Sequence, residues 1–179
     1  MGKAVQDLKK EHESILHVFR IMENMSERNM EESARLGYDS DLVDFFKVFA
    51  DKCHHGKEEL YLFEELVNAG VHNEGGIIGT LLQEHNLGRD YLAIMDTAVQ
   101  KKNAEEFDSA AEKYLLLMRN HIDRENKVLF EMADQLLDEA KQDEIFEKFE
   151  QHEQSVIGHG IHEKLHAMIH GWSEEFDVE

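Results

Sequence analysis

Not one of the 179 residues is proline. Nothing in the chain therefore forces a helix to stop by deleting a backbone donor and crowding the preceding turn. Leu, Met, Glu, Lys and Ala, which lose little on entering a helix, dominate the sequence, and strand-like alternation is scarce. Apolar residues recur instead with a period near 3.6. Leu8, His12, Ile15, Phe19 and Met22 mark one helix over about 4–27. A second is expected over about 41–68, carrying Leu42, Phe45, Phe46, Phe49, Leu60, Phe63 and Leu66. Asp39 or Ser40 would cap it after the linking stretch ERNMEESARLGYDS. A third, over about 76–101, carries Ile78, Leu81, Leu82, Leu92 and Met95, and a fourth, over about 104–138, carries Phe107, Leu115, Met118, Ile122, Leu129, Met132 and Leu136. A fifth amphipathic segment at 141–170 is interrupted by Gly158 and Gly160. The expected fold is all-α. It is an up-down-up-down four-helix bundle over 1–140, with an additional C-terminal helical segment over 141–179 packed on it.

Charge narrows the partners. With 39 acidic and 19 basic side chains the formal charge is -20, the wrong sign for a general nucleic-acid binder or for an anionic membrane surface. No run approaches the roughly 18 apolar residues of a membrane span, and no Gly-rich phosphate loop is present. Cys53 is the single cysteine, so no intramolecular disulfide framework exists. The N-terminal stretch MGKAVQDLKKEHES has no apolar signal-like core. A cytoplasmic location is the expectation.

Two near-copies of one short motif carry the chemistry. His54-His55-Gly56-Lys57-Glu58-Glu59 precedes Tyr61-Leu62-Phe63, and His121-Ile122-Asp123-Arg124-Glu125 precedes Val128-Leu129-Phe130. Each places an imidazole and a carboxylate four residues apart, on one helix face. In an up-down bundle, residues equidistant from a turn share a height. His12 and His54 are centred on residue 33, within the expected first connection. The pair His54/Glu58 and His85 have their midpoint between 70 and 71, at the Gly70 turn, and His85 and the pair His121/Glu125 have theirs at 104, at the third break. All four helices thus contribute to one layer, on core-facing positions. Buried imidazoles and carboxylates need partners or metal, and nitrogen and carboxylate ligands without thiolate suit iron, manganese or zinc. Two glutamates could bridge two metals. His55 is either a seventh ligand or a capping partner, and Glu59 is either an orienting carboxylate or solvated.

With this layer assembled, the chain resembles the hemerythrin-like family, the HHE cation-binding domain. The resemblance covers roughly residues 8 to 137 and rests on CHHGKEELYLF at 53–63, GTLLQEHNLGRDY at 79–91 and HIDRENKVLF at 121–130. It implies that His12, His54, Glu58, His85, His121 and Glu125 ligate two non-haem iron ions with an oxo or hydroxo bridge, Glu58 and Glu125 spanning both. The chain departs from the oxygen-carrying members, which have a His-x-x-x-His pair on the third helix. Here Leu81 precedes His85 by four and Arg89 follows it by four, so one nitrogen ligand is missing unless His55 supplies it. The resemblance leaves binding, sensing or redox conversion of dioxygen, nitric oxide or peroxide open. A non-catalytic iron-binding, storage or sensor protein is the alternative.

A second metal signature, His162-Glu163-Lys164-Leu165-His166, has the form of a zinc metallopeptidase motif. Only a short tail follows it, and no strand-rich segment could hold a peptide, so a packing or solvated role is the simpler reading. His170, His152 and His159 belong to the same region. Cys53 reads as a packing thiol, Tyr61 and Tyr114 as residues within reach of the pocket, and Trp172 as an anchor for the tail or for an oligomer partner.

Overall fold

The computed structural model describes residues 1–158 and 161–178, with the side chains of 161–163 outside the description. Six helices occur among the described residues. They are α1 (Lys3–Ser26), α2 (32–68), α3 (Ile77–Lys101), α4 (104–136), α5 (Glu139–Val156) and α6 (Ile161–Glu175). The first four form the bundle, and the last two pack along it.

Local chemistry sets the boundaries. Lys102 takes a left-handed conformation (φ 53°) to end α3, and the Asn103 side chain accepts the Glu106 N–H at 3.1 Å to start α4. Asp138 does the same for the Lys141 N–H at 2.8 Å at the head of α5. Gly158, with φ 77°, follows α5, so the expected fifth segment is two helices. The second helix begins nine residues earlier than the pattern of apolar residues suggested, at Glu32 instead of 41. Asp39 and Ser40 are interior residues there, not caps. Asp39 is buried and accepts from the Arg35 guanidinium one turn earlier at 2.9 Å.

Helix α2 is not wound uniformly. It is α-helical to Phe45, then takes the wider π winding over Phe46–His55 and again over Glu58–Leu62. Helix α4 has one π turn, Glu125–Leu129. Such turns are rare and concentrate at functional sites. A wider turn lessens the angular step between neighbours, which lets the adjacent His54 and His55 both face inward. It also displaces Leu60, expected in the core but 54% exposed. Leu136, at the end of α4, is likewise exposed. The first connection spans 27–31, so residue 33, taken as its centre, lies in the first turn of α2. Wide winding reduces the rise per residue, which offsets part of that mismatch in height.

The apolar core is divided in two. One half gathers Ile15, Phe19, Met22, Phe46, Leu92, Tyr114 and Met118. The other gathers Leu8, Leu62, Phe63, Leu81, Leu129 and Phe130. Between them lies a buried polar layer containing His12, His54, His55, Glu58, His85, His121 and Glu125. The C-terminal helices complete both halves. Ile145 and Phe149 of α5 join Leu8 and Phe130. Trp172 of α6 and Phe176 just after it meet Phe45 and Tyr38 edge-on, with ring centroids 6.3 and 5.0 Å apart. Ile145 is fully buried, so Ile145→Ala should lower unfolding stability by about 2–5 kcal/mol in urea melts. A loss under about 1 kcal/mol would show that α5 is a loose appendage.

Candidate metal centre

Each bundle helix delivers ligand-type atoms to the polar layer. Helix α1 brings His12, α2 brings His54, His55 and Glu58, α3 brings His85, and α4 brings His121 and Glu125. They fall into two overlapping groups. In each, one nitrogen or oxygen per residue lies within 4.8 Å of all the others: His12, His54, Glu58 and Glu125 in one, and His55, Glu58, His85 and His121 in the other. Glu58 is common to both.

The carboxylates stand between the two groups. Glu58 directs Oε1 toward His54 Nε2 at 3.6 Å and Oε2 toward His85 Nε2 at 3.5 Å. Glu125 directs Oε2 toward His12 Nε2 at 3.2 Å and Oε1 toward His121 Nε2 at 3.1 Å. The imidazoles crowd in the same way. His54 and His12 approach through Nε2 at 2.9 Å, and His85 and His121 through Nε2 at 3.1 Å. His55 stacks on His85 with centroids 3.8 Å apart. Its inward position, left open by the sequence, supplies a fifth imidazole where the third helix has only one.

All four oxygens of Glu58 and Glu125 are buried and none lies in a well-formed hydrogen bond, although imidazole nitrogens stand 3.1 to 3.6 Å away. Unpartnered carboxylate oxygens in a protein interior are expensive and rare. Cations placed between them would remove that cost, and five imidazoles with two carboxylates suit a borderline first-row metal. The donor set therefore fits a pair of metal ions.

A ring of contacts around the layer fixes each imidazole. Glu11 of α1 accepts from His54 Nδ1 of α2 at 2.8 Å. Glu59 of α2 accepts from His85 of α3 at 2.7 Å. Glu84 of α3 accepts from His121 of α4 at 3.0 Å. Asn126 Oδ1 of α4 closes the circle, accepting from His12 of α1 at 3.1 Å. A proton held on Nδ1 leaves the Nε2 lone pair facing inward, and the anionic acceptor makes that nitrogen a better donor. The carboxylates are themselves paired: Glu11 with Lys57, Glu59 with Arg89 and Glu84 with Arg124. Arg89 also holds Asp51, which contacts His55 Nδ1 at 3.4 Å. Of these partners only Glu59 was singled out from sequence. A readable signal existed, since Glu11, Glu84, Glu59 and Asn126 each sit next to an inward-facing histidine or glutamate.

The ionisation pattern suits ligation in part. Burial, reinforced by neighbouring imidazoles, holds His54 and His55 well below the usual histidine range, so both are neutral. Burial and then the Glu125 carboxylate push Glu58 well above the usual range. Burial opposes the charge on Glu125, but His121 and His12 hold it well below the usual range. Burial also works against the His121 imidazolium, yet Glu125 and Glu84 raise it to about 9. Without a cation, then, protons on Glu58 and His121 moderate the charge of the layer.

The other expectations divide. Tyr114 lies against Phe19 and Phe46 in the apolar core, and Tyr61 lies against Phe149 and His152. Cys53 is fully buried, and burial raises its thiol far above the ordinary range. It neighbours Glu11 and Glu153, but the Lys57 ammonium already occupies that acidic cluster. His166 and His170 are exposed on α6, while His159 and the His162 and Glu163 side chains of the peptidase-like motif lie outside the described residues.

No helix among the described residues is long and apolar enough to cross a membrane. Comparison with curated proteins and with solved structures finds no match in either. Residues 3–133 match the sequence profile of the hemerythrin HHE cation binding domain. That span takes in both His-x-x-x-Glu motifs, both ligand groups and the ring that holds them, and the chain belongs to the hemerythrin HHE cation-binding domain family.

Proposed function

We propose that this chain is a non-haem di-iron protein that binds, senses or redox-processes a small molecule such as dioxygen, nitric oxide or peroxide. The observation that carries the reading is the two fully buried carboxylates of Glu58 and Glu125, outside any well-formed hydrogen bond and set among five imidazoles. In this reading His12 and His54 would hold one iron and His55, His85 and His121 the other, with Glu58 and Glu125 available to both. Iron bound there would supply one-electron redox chemistry and Lewis acidity toward a small ligand.

The chain's own contribution is positioning and exclusion. Outer carboxylates and Asn126 lock the imidazole tautomers, so little reorganisation accompanies metal entry or a change of charge. Phe130 stacks on His12 and Phe63 on His85, with centroids 5.3 and 5.9 Å apart. These rings cap the layer with apolar surface and keep bulk water away. Every ligand-type residue is buried, so the reactant must be a few atoms in size. We place the metal-holding unit at residues 1–140 and the supporting extension at 141–179.

Anaerobic reconstitution should give two irons per chain with charge-transfer absorption after oxidation. Glu58→Ala and Glu125→Ala should each drop iron below about one per chain while circular dichroism stays helical. Wild-type protein that retains far less than one metal would sink the reading. Rapid mixing of the reduced protein with dioxygen, peroxide or nitric oxide then separates the two functional classes. Repeated consumption supports redox processing, and uptake of iron with no reaction supports a reservoir.

Acid should release metal. The protons on His121, held to about pH 9, and on Glu58 must leave when metal enters. Apparent affinity measured by chelator competition should rise from about pH 6 to about pH 9 and level off above that. A flat profile over that window would contradict this account of the layer.

A further inference from the structure

Three of the four acceptors in the ring are carboxylates paired with a cation, but one cation is unlike the rest. Arg89 and Arg124 have side chains 36% exposed, whereas the Lys57 side chain is 1% exposed. Its ammonium lies 2.8 Å from Glu11, 3.0 Å from Asp7 and 3.1 Å from Glu153. Glu11 accepts the Nδ1–H of His54. Glu153 belongs to α5, beyond the family match at 3–133. A continuous chain of charged contacts therefore runs from the C-terminal extension to an imidazole of the metal layer.

The surrounding packing holds α5 against that stretch of α2. His152 is buried, and its Nε2–H donates to the Lys52 carbonyl at 2.9 Å. A Cβ added at Gly56 would stand 2.6 Å from His152 Nε2, so only glycine admits the ring there. Phe149 lies beneath the Lys57 ammonium, 5.6 Å from ring centroid to nitrogen. The tight approach falls at residues 52–57 of α2, directly before Glu58.

We propose that α5 is a positioning element for the metal centre, acting through Glu153, Lys57 and Glu11 on His54. This rests on the di-metal reading above. Lys57 is shared among three carboxylates. Neutralising Glu153 draws the ammonium toward Glu11 and weakens the pull of Glu11 on the His54 Nδ1–H. His54 then becomes a poorer donor toward its metal, while His55, His85 and His121 keep their own acceptors.

The test uses the full-length chain titrated anaerobically with ferrous iron against a chelator, with helicity and melting followed in parallel. Glu153→Gln should weaken one of the two binding steps by about tenfold and leave the other unchanged. Glu150→Gln, an exposed carboxylate on the same helix, should match wild type. In a Glu11→Gln background, adding Glu153→Gln should have no further effect, because the route is already cut. Equal weakening of both steps would indicate general loosening and overturn the proposal. So would wild-type affinity in Glu153→Gln, or additive effects in the double variant. If the wild type binds no metal, the di-metal reading fails and this proposal falls with it. If the wild type binds two metals and Glu153→Gln does the same with unchanged affinity, only this proposal fails.

Discussion

Two carboxylates without hydrogen-bond partners, Glu58 and Glu125, sit at the centre of the bundle and divide its core. An apolar interior tolerates such groups only when something compensates their charge. Much of the surrounding architecture supports them. Two π turns begin at Glu58 and Glu125 themselves. The five imidazoles face them from all four bundle helices. The two apolar half-cores above and below exclude the water that would otherwise satisfy them. A bundle with leucine at these positions would have a continuous core, and the polar layer marks where stability yields to chemistry.

The ring of Nδ1 contacts gives this layer its order. Each helix supplies the acceptor for the histidine of the next, and Asn126 returns the sequence to α1. Moving one helix therefore disturbs at least two imidazoles, one that it carries and one that it holds. Three acceptors are anionic and one is neutral, so the imidazoles differ in donor strength. His12, held by an amide, is the weakest of the four on this argument. The guanidinium groups of Arg89 and Arg124 behind the ring help keep Glu59 and Glu84 ionised. Burial alone would raise Glu59 and Glu84, yet contacts from His85 and Arg89, and from His121 and Arg124, leave both below the usual carboxylate range.

Much of this was legible in the sequence because helix periodicity and the spacing of His-x-x-x-Glu are local. The absence of proline and the 3.6-residue pattern located the bundle helices. The register of His54, His85 and His121 about the second and third breaks brought them to one height, while the centre taken for His12 and His54, residue 33, falls inside α2. What the pattern missed has a physical cause in each case. The early start of α2 falls in a stretch poor in apolar residues, where the Arg35–Asp39 contact supports the helix. The π winding depends on tertiary demand for two adjacent inward histidines, which an α-helix would splay apart, and so the place of His55 stayed open. The acceptors Glu11, Glu84 and Asn126 act across helices, and no periodicity encodes which helix stands beside which. The role of α5 rests on Lys57 reaching Glu153, a contact 96 residues apart in sequence.

In the proposed di-iron reading, Glu58 and Glu125 stand between two metals. Anomalous diffraction at the iron edge from crystals of the reconstituted protein tests it most directly. Two peaks are expected, both between Glu58 and Glu125, one against His12 and His54 and the other against His55, His85 and His121. A single peak, no peak, or a peak in the Glu11, Cys53 and Glu153 cluster would contradict it.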